Sequence, residues 1–98
     1  MNANEFTKAF SRAYLNRHEV MGNPVVVYNP TEDCYYSKSS MTPLRNGEVV
    51  LATIEDGMFG PEATTQEEIE HYIDFFYLSD GEAMYEIESK IEQAVRGQ

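Results

Sequence analysis

Apolar positions recur at helical spacing at both ends of the chain and at strand spacing in its middle. Phe6, Phe10, Ala13 and Tyr14 form one stripe at three- and four-residue intervals, which predicts an N-terminal helix. Asn4 is suited to cap it, and Glu5 puts an acid in the first turn, where the helix dipole favours negative charge. The helix is expected to run to about Val20, because Gly22 and Asn23 suit a left-handed turn and Pro24 prevents continuation. Val25-Val26-Val27-Tyr28 is a β-branched run that suits a buried strand. The turn Asn29-Pro30-Thr31-Glu32-Asp33 separates it from a second strand, Cys34-Tyr35-Tyr36-Ser37-Lys38. Ser39 to Arg45 contains Pro43 and reads as an edge strand or a loop.

Asn46-Gly47 is a hairpin signal, since both central residues of a type I′ turn need positive φ. Glu48 to Ile54 follows as the clearest strand, and Asp56-Gly57 marks another turn, with Met58-Phe59 returning as a short strand before Gly60-Pro61. These segments predict an antiparallel meander of three or four strands. Beyond them, Thr65 begins a capping box with Glu68, and Thr64 with Glu67 offers the same in the adjacent register. Ile69, Tyr72, Ile73 and Phe76 form the inward stripe of a helix from about Gln66 to Leu78. Ser79-Asp80-Gly81 breaks it, Ser79 with Glu82 forms a further capping box, and Met84, Ile87, Ile91, Ala94 and Val95 line the last helix. The fold expected is α+β over a single domain, residues 1–98: an N-terminal helix, a small antiparallel sheet and two C-terminal helices packed on one face.

An apolar fraction of 42% with 12% aromatics suffices for one core and is too high for a disordered tail. No run approaches the roughly 18–20 apolar residues of a membrane span. The opening MNANEFTKAF lacks a basic region followed by an apolar block, so the expectation is a cytoplasmic protein without membrane attachment. Cys34, the one cysteine, cannot form an internal disulfide and reads as a buried, inert thiol.

Charge changes the picture. The chain carries 7 basic and 17 acidic residues, a net of −10. Residues 1–49 hold five acids and five bases, whereas residues 50–98 hold twelve acids against Lys90 and Arg96 alone. The C-terminal half therefore carries the whole excess, an asymmetry that bears on partners more than on fold. Direct nucleic-acid binding is disfavoured, since the excess repels a polyanion and the five bases form no run.

No phosphate-binding loop, nucleophile elbow or paired histidines occur. His18, His71 and Cys34 match no usual metal spacing. Carboxylates are abundant, but none is singled out as an acid or base. The sequence predicts no catalytic residue, no metal ligand and no cofactor.

The acids themselves are patterned. At about 100° per residue, Glu67, Glu70 and Asp74 fall on one outward strip of the first C-terminal helix. Glu82, Glu86 and Glu92 take the outer arc of the second, with Glu88 on its flank. Carboxylates three and four residues apart stand about 5–6 Å from one another, similar to phosphates along a nucleic-acid strand, and repel by roughly 0.2–0.5 kcal/mol per pair. The ordinary explanation is a solvated surface; the functional one is a partner-binding face that imitates a nucleic acid. Tyr85 lies among the outer acids, and Phe75 and Leu78 lie off the centre of their helix's inward stripe, an anchor-and-rim pattern used by interfaces.

The C-terminal stretch resembles small phage anti-CRISPR proteins that join a meander sheet to two helices. The resemblance covers about a third of the chain and lies in Thr65 with Glu67-Glu68-Ile69-Glu70 and Tyr72, the Gly81 break, Ile87-Glu88 and Ile91-Glu92. This chain departs by its N-terminal helix and its longer Asn29–Arg45 region. The resemblance implies a non-enzymatic inhibitor that blocks a nucleic-acid-handling complex, acting in the host cytoplasm if phage-encoded.

The leading expectation is thus an acidic binding protein, monomeric or homodimeric, that occludes the basic surface of a nucleic-acid-binding protein. Glu67, Glu70, Asp74, Glu82, Glu86, Glu88 and Glu92 would provide the field and Tyr85 the anchor. The alternatives are an immunity protein or antitoxin facing a toxin, a self-assembling accessory protein meeting its own copies through Phe75, Leu78 and Tyr85, and an enzyme using an acidic metal site.

Overall fold

The computed structural model describes residues 1–45 and 47–97. The chain is α+β. Helix α1 (Ala3–Leu15) precedes strands β1 (Pro24–Asn29), β2 (Cys34–Ser39) and β3 (Val49–Thr53). Helix α2 (Gln66–Ile73) then leads through a π-helical turn, Asp74–Leu78, to α3 (Gly81–Arg96). The strands make one antiparallel sheet.

The strand order, β2-β1-β3, differs from that of a meander. β1 lies in the centre because its run of Val25, Val26, Val27 and Tyr28 has no polar alternation; all four are buried, as a strand covered on both faces requires. Residues opposite one another share a face. Val26 and Tyr28, with Tyr35 and Ala52, face the helices; Val25 and Val27 share the other face with Lys38, Tyr36, Val50 and Thr53. Leu51 has no partner across β1, a bulge that lets Leu51 and Ala52 both enter the core.

To reach the far side of β1, the chain after β2 crosses this second face as a loop, not as a strand or hairpin. The crossing is held by a buried acid. Glu48, whose side chain is 1% exposed, accepts from Lys38 Nζ at 2.9 Å and from the Arg45 N–H at 2.5 Å, and also from the Tyr36 hydroxyl. Lys38 donates in addition to the Pro43 carbonyl at 2.9 Å. At Gly22, φ is +71°, and the Ser40 and Met41 side chains come to 3.1 Å from where a Cβ would stand, so the loop rests on a position that favours glycine on both counts. The Asn46 half of the expected Asn46-Gly47 turn lies outside the described residues.

On the helical side, Phe6, Phe10, Tyr14, Ile54, Ile69 and Ile73 are fully buried, with Ile87 beside them. The cap of α1 is Asn2, not Asn4: its Oδ1 accepts from the Glu5 N–H at 3.2 Å. α1 stops at Leu15, short of Val20, because Arg17 folds back on it. The guanidinium donates to the Tyr14 carbonyl at 2.8 Å, lies 4.2 Å over the Tyr14 ring and pairs with Asp56 at 2.6 Å. Met58-Phe59 forms a turn in place of the expected strand, and Phe59 is buried against Phe10 and Tyr14 at ring separations of 5.7 and 5.0 Å. α3 is capped by Asp80, one residue beyond Ser79, through bonds from the Glu82 and Ala83 N–H groups. Val95 on α3 is exposed, and Cys34 is half-buried where a buried thiol was expected.

Two outcomes follow for stability. Glu48→Ala strands the Lys38 ammonium in the crossing and is expected to cost about 3 kcal/mol, with Lys38→Met/Glu48→Leu recovering most of it in urea unfolding; a single-variant loss within error of zero contradicts the clamp. The Tyr14 hydroxyl is buried without a hydrogen-bond partner among the described residues, so Tyr14→Phe is expected to keep or raise the urea midpoint, and a clear drop contradicts that reading.

Candidate protein-interaction surface

The capping box at the start of α2 forms as its sequence predicts. Thr65 Oγ1 accepts from the Glu68 N–H at 3.2 Å, and Glu68 Oε1 accepts from the Thr65 N–H at 3.3 Å and the Thr65 hydroxyl at 2.9 Å. The Thr65 hydroxyl bond, with the backbone bonds beside it, holds the Glu68 carboxyl below the usual glutamate range. The cap fixes the register that drives Ile69 and Ile73 into the core.

A continuous α-helix would carry Phe76 onto the same stripe. Instead the Ser79 N–H donates to the Asp74 carbonyl five residues back, at 2.8 Å, and this wider turn delays the next inward position by one residue. Tyr77 takes it, with its ring 5.1 Å from Phe10 and 6.1 Å from Phe6. Burial, then Glu55, push its phenol above the ordinary tyrosine pKa. Phe76 is thereby turned out, 47% exposed, and Phe75 is 65% exposed. The expected inward place of Phe76 is overturned by this register change. The rings form one group: half-buried Tyr72 and exposed Phe76 lie 6.3 Å apart at 18°, both nearly parallel to Phe59, and Phe75 meets Phe76 edge-on at 5.1 Å.

The acids expected to form the binding field fall into separate groups. Glu67, Glu68, His71 and Tyr72 line a shallow depression of about 390 Å³. Glu70 is half-buried and accepts from Gln66 Nε2 at 3.1 Å; with Asp74 and Leu78 it faces the start of α1, at Ala3, Asn4 and Thr7. There the two acids also complement the positive end of the α1 dipole, so Glu70 is less outward than its helical angle suggests. Glu82, Glu86 and Glu88 are exposed on α3, whereas Glu92 pairs with Arg96 one turn on. α2 packs on α1, and α3 packs on β3 and the π-helical turn, so the two acidic helices flank that turn without forming one continuous strip. Tyr85 is 75% exposed and makes no ring contact among the described residues.

Other candidate chemistry is weaker. The Cys34 thiol is held above its ordinary pKa by burial first and then by Glu32, with Glu5 and Asp33 adding to it, so it is a poor nucleophile. His18 stands 3.7 Å from Asp56 at the end of α1, and His71 is exposed on α2. Among the described residues no three His, Cys, Asp or Glu side chains converge as a metal site, and no helix is long and apolar enough to cross a membrane.

Comparison with known protein families, with characterised proteins and with solved structures finds no match to this chain.

The residue that sequence reading missed is Phe76. Its signal was present: Phe75, Phe76 and Tyr77 are consecutive, and three aromatics in a row cannot all face one core from a single helix. The capping box gives a direct check. Because the Glu68 pKa is lowered in the fold, its stabilising effect is present above the ordinary glutamate pKa and is lost as pH falls through the lowered value. In Thr65→Val, the Glu68 pKa read by NMR is expected to rise towards the ordinary value; an unmoved value contradicts the assignment.

Proposed function

We propose that this protein is a non-enzymatic acidic binding protein that docks on the basic, nucleic-acid-binding surface of another protein and occludes it, the role that its resemblance to anti-CRISPR proteins implies. The observation that carries the reading is the pair Phe75 and Phe76, turned outward in an ordered aromatic group between two acidic helices. Burying what these rings leave exposed is worth on the order of 3 kcal/mol, enough to anchor a contact. The acids Glu67, Glu82, Glu86 and Glu88, on the helices either side of the turn, supply the charge. Their field speeds encounter with a cationic surface and makes it sensitive to salt. Arginine side chains of the partner fit both components, since a guanidinium stacks on aromatic faces and pairs with carboxylates. Glu70, Asp74 and Glu92 contribute less, the first two being committed to α1 and the last to Arg96, and Tyr85 is a second, separate contact.

The test places the photoreactive residue benzoylphenylalanine at Phe75 and irradiates the protein in a lysate of the cells that contain it. The expected product is one cationic protein whose binding to nucleic acid the unmodified inhibitor abolishes. Glu86→Lys/Glu88→Lys, at exposed positions inside α3, should cut that inhibition by about tenfold or more without shifting the thermal melt. A product that does not bind nucleic acid, or inhibition unchanged by the double variant, contradicts the proposal.

A further inference from the structure

The sheet has two edges, and they are finished differently. β3 is broken by the bulge at Leu51, whereas β2, although α1 packs against it as α3 packs against β3, has no such break. It pairs with β1 through six uninterrupted positions, contains no proline, and its only charge, Lys38, is drawn inward by Glu48. Edges are ordinarily blunted by such devices because an open one is a template for another strand.

The hydrogen-bonding sense of that edge can be assigned. Ser40 N–H donates to the Asn23 carbonyl at 2.9 Å, so in an antiparallel ladder Lys38, Tyr36 and Cys34 direct their backbone groups to β1. Tyr35 and Ser37 therefore direct theirs outward. Among the described residues no strand meets them. A groove of about 400 Å³ opens between this edge and α1, lined on the helix by Glu5, Lys8, Ala9 and Arg12.

The charges along the groove are polar in their order. The start of α1 lies by Tyr35, whose hydroxyl accepts from the Asn2 N–H at 3.1 Å. Glu5 sits at that end, together with Glu32 and Asp33, and Lys8 and Arg12 follow towards Ser37. Neither base has an ion pair among the described residues. A second copy laid antiparallel sets the acidic end of each groove against the basic end of the other. The whole excess of −10 belongs to residues 50–98, so α1 and β2 lie in the half with no net charge. Two copies meeting through α2 and α3 would instead bring acid against acid.

We infer that the protein forms a two-fold dimer by antiparallel pairing of β2 with the β2 of a second copy. Centred on Tyr36, the pairing lets Tyr35 of each copy exchange N–H···O=C bonds with Ser37 of the other, four in all, and joins the two sheets into one of six strands. Glu5 of each copy faces Arg12 of the other. The contact is isologous and closes on itself. It leaves the acidic helices and Phe75 on the outside, so it stands independently of the binding role proposed above.

The test is sedimentation over a wide concentration series. The native chain is expected to shift from the 11.2 kDa monomer to twice that mass. Ser37→Pro removes an outward donor without touching the β1 ladder and should remain monomeric with an unchanged circular dichroism spectrum. Should that variant misfold, charge exchange serves: Arg12→Glu is expected to weaken dimerisation about tenfold, and Glu5→Arg added to it to restore the native constant. A monomer at every concentration, or a dimer indifferent to Arg12→Glu, overturns the inference. So does a dimer lost on Phe75→Ser/Phe76→Ser, which would place self-association at the aromatic turn.

Discussion

The structure depends on burying β1 from both sides. A strand made of three valines and a tyrosine exposes apolar surface on each face, and so small a chain has helices for only one of them. The second face is closed by a loop, and a loop closes a face only if its backbone is tied down. Glu48 does this by gathering Lys38, Tyr36 and the Arg45 N–H at one carboxylate. A buried ion pair of this kind adds little net stability over an apolar substitute, but it fixes which way the chain crosses. The strand order β2-β1-β3 is the topological trace of that solution.

The other consequence is a division of the surface. The half built from α1 and β2 has no net charge, and its exposed feature is backbone. The half built from α2, the π-helical turn and α3 carries the charge excess, and its exposed feature is aromatic. The π-helical turn produces the second of these. By widening one turn it locks Tyr77 against Phe6 and Phe10 and turns Phe76 out beside Phe75. A surface that spends apolar side chains outside its own core, bordered by like charges, is stable only as far as the core can spare them, and here Tyr77 makes good the loss.

Much of this was legible in the sequence. The class of fold, the strands near Val25, Cys34 and Val49, the capping box at Thr65 and the break before α3 all follow from local patterns. Patterns of this reach could not give the strand order, because nothing local distinguishes a loop that returns alongside β2 from one that crosses β1. They also misplaced small features where a neighbour in space decides. Asn2 caps α1 in place of Asn4, Arg17 ends it early, and Phe59 is pulled from a strand into the core by Phe10 and Tyr14. At the candidate surface the exposed acids and Tyr85 were readable from helical angles. The half-burial of Glu70 needed the position of α1, and the outward Phe76 needed the π-helical register, which an assumed 3.6-residue period conceals.

Hydroxyl-radical footprinting of Phe75, Phe76 and Tyr77 bears most directly on the idea that the aromatic turn is held open for a cationic partner. In the free protein the account predicts strong labelling of Phe75 and Phe76 with Tyr77 protected, and loss of the phenylalanine labelling once a cationic protein is bound. Labelled Tyr77 with protected Phe76 in the free protein, or phenylalanine labelling unaltered in the complex, would contradict it.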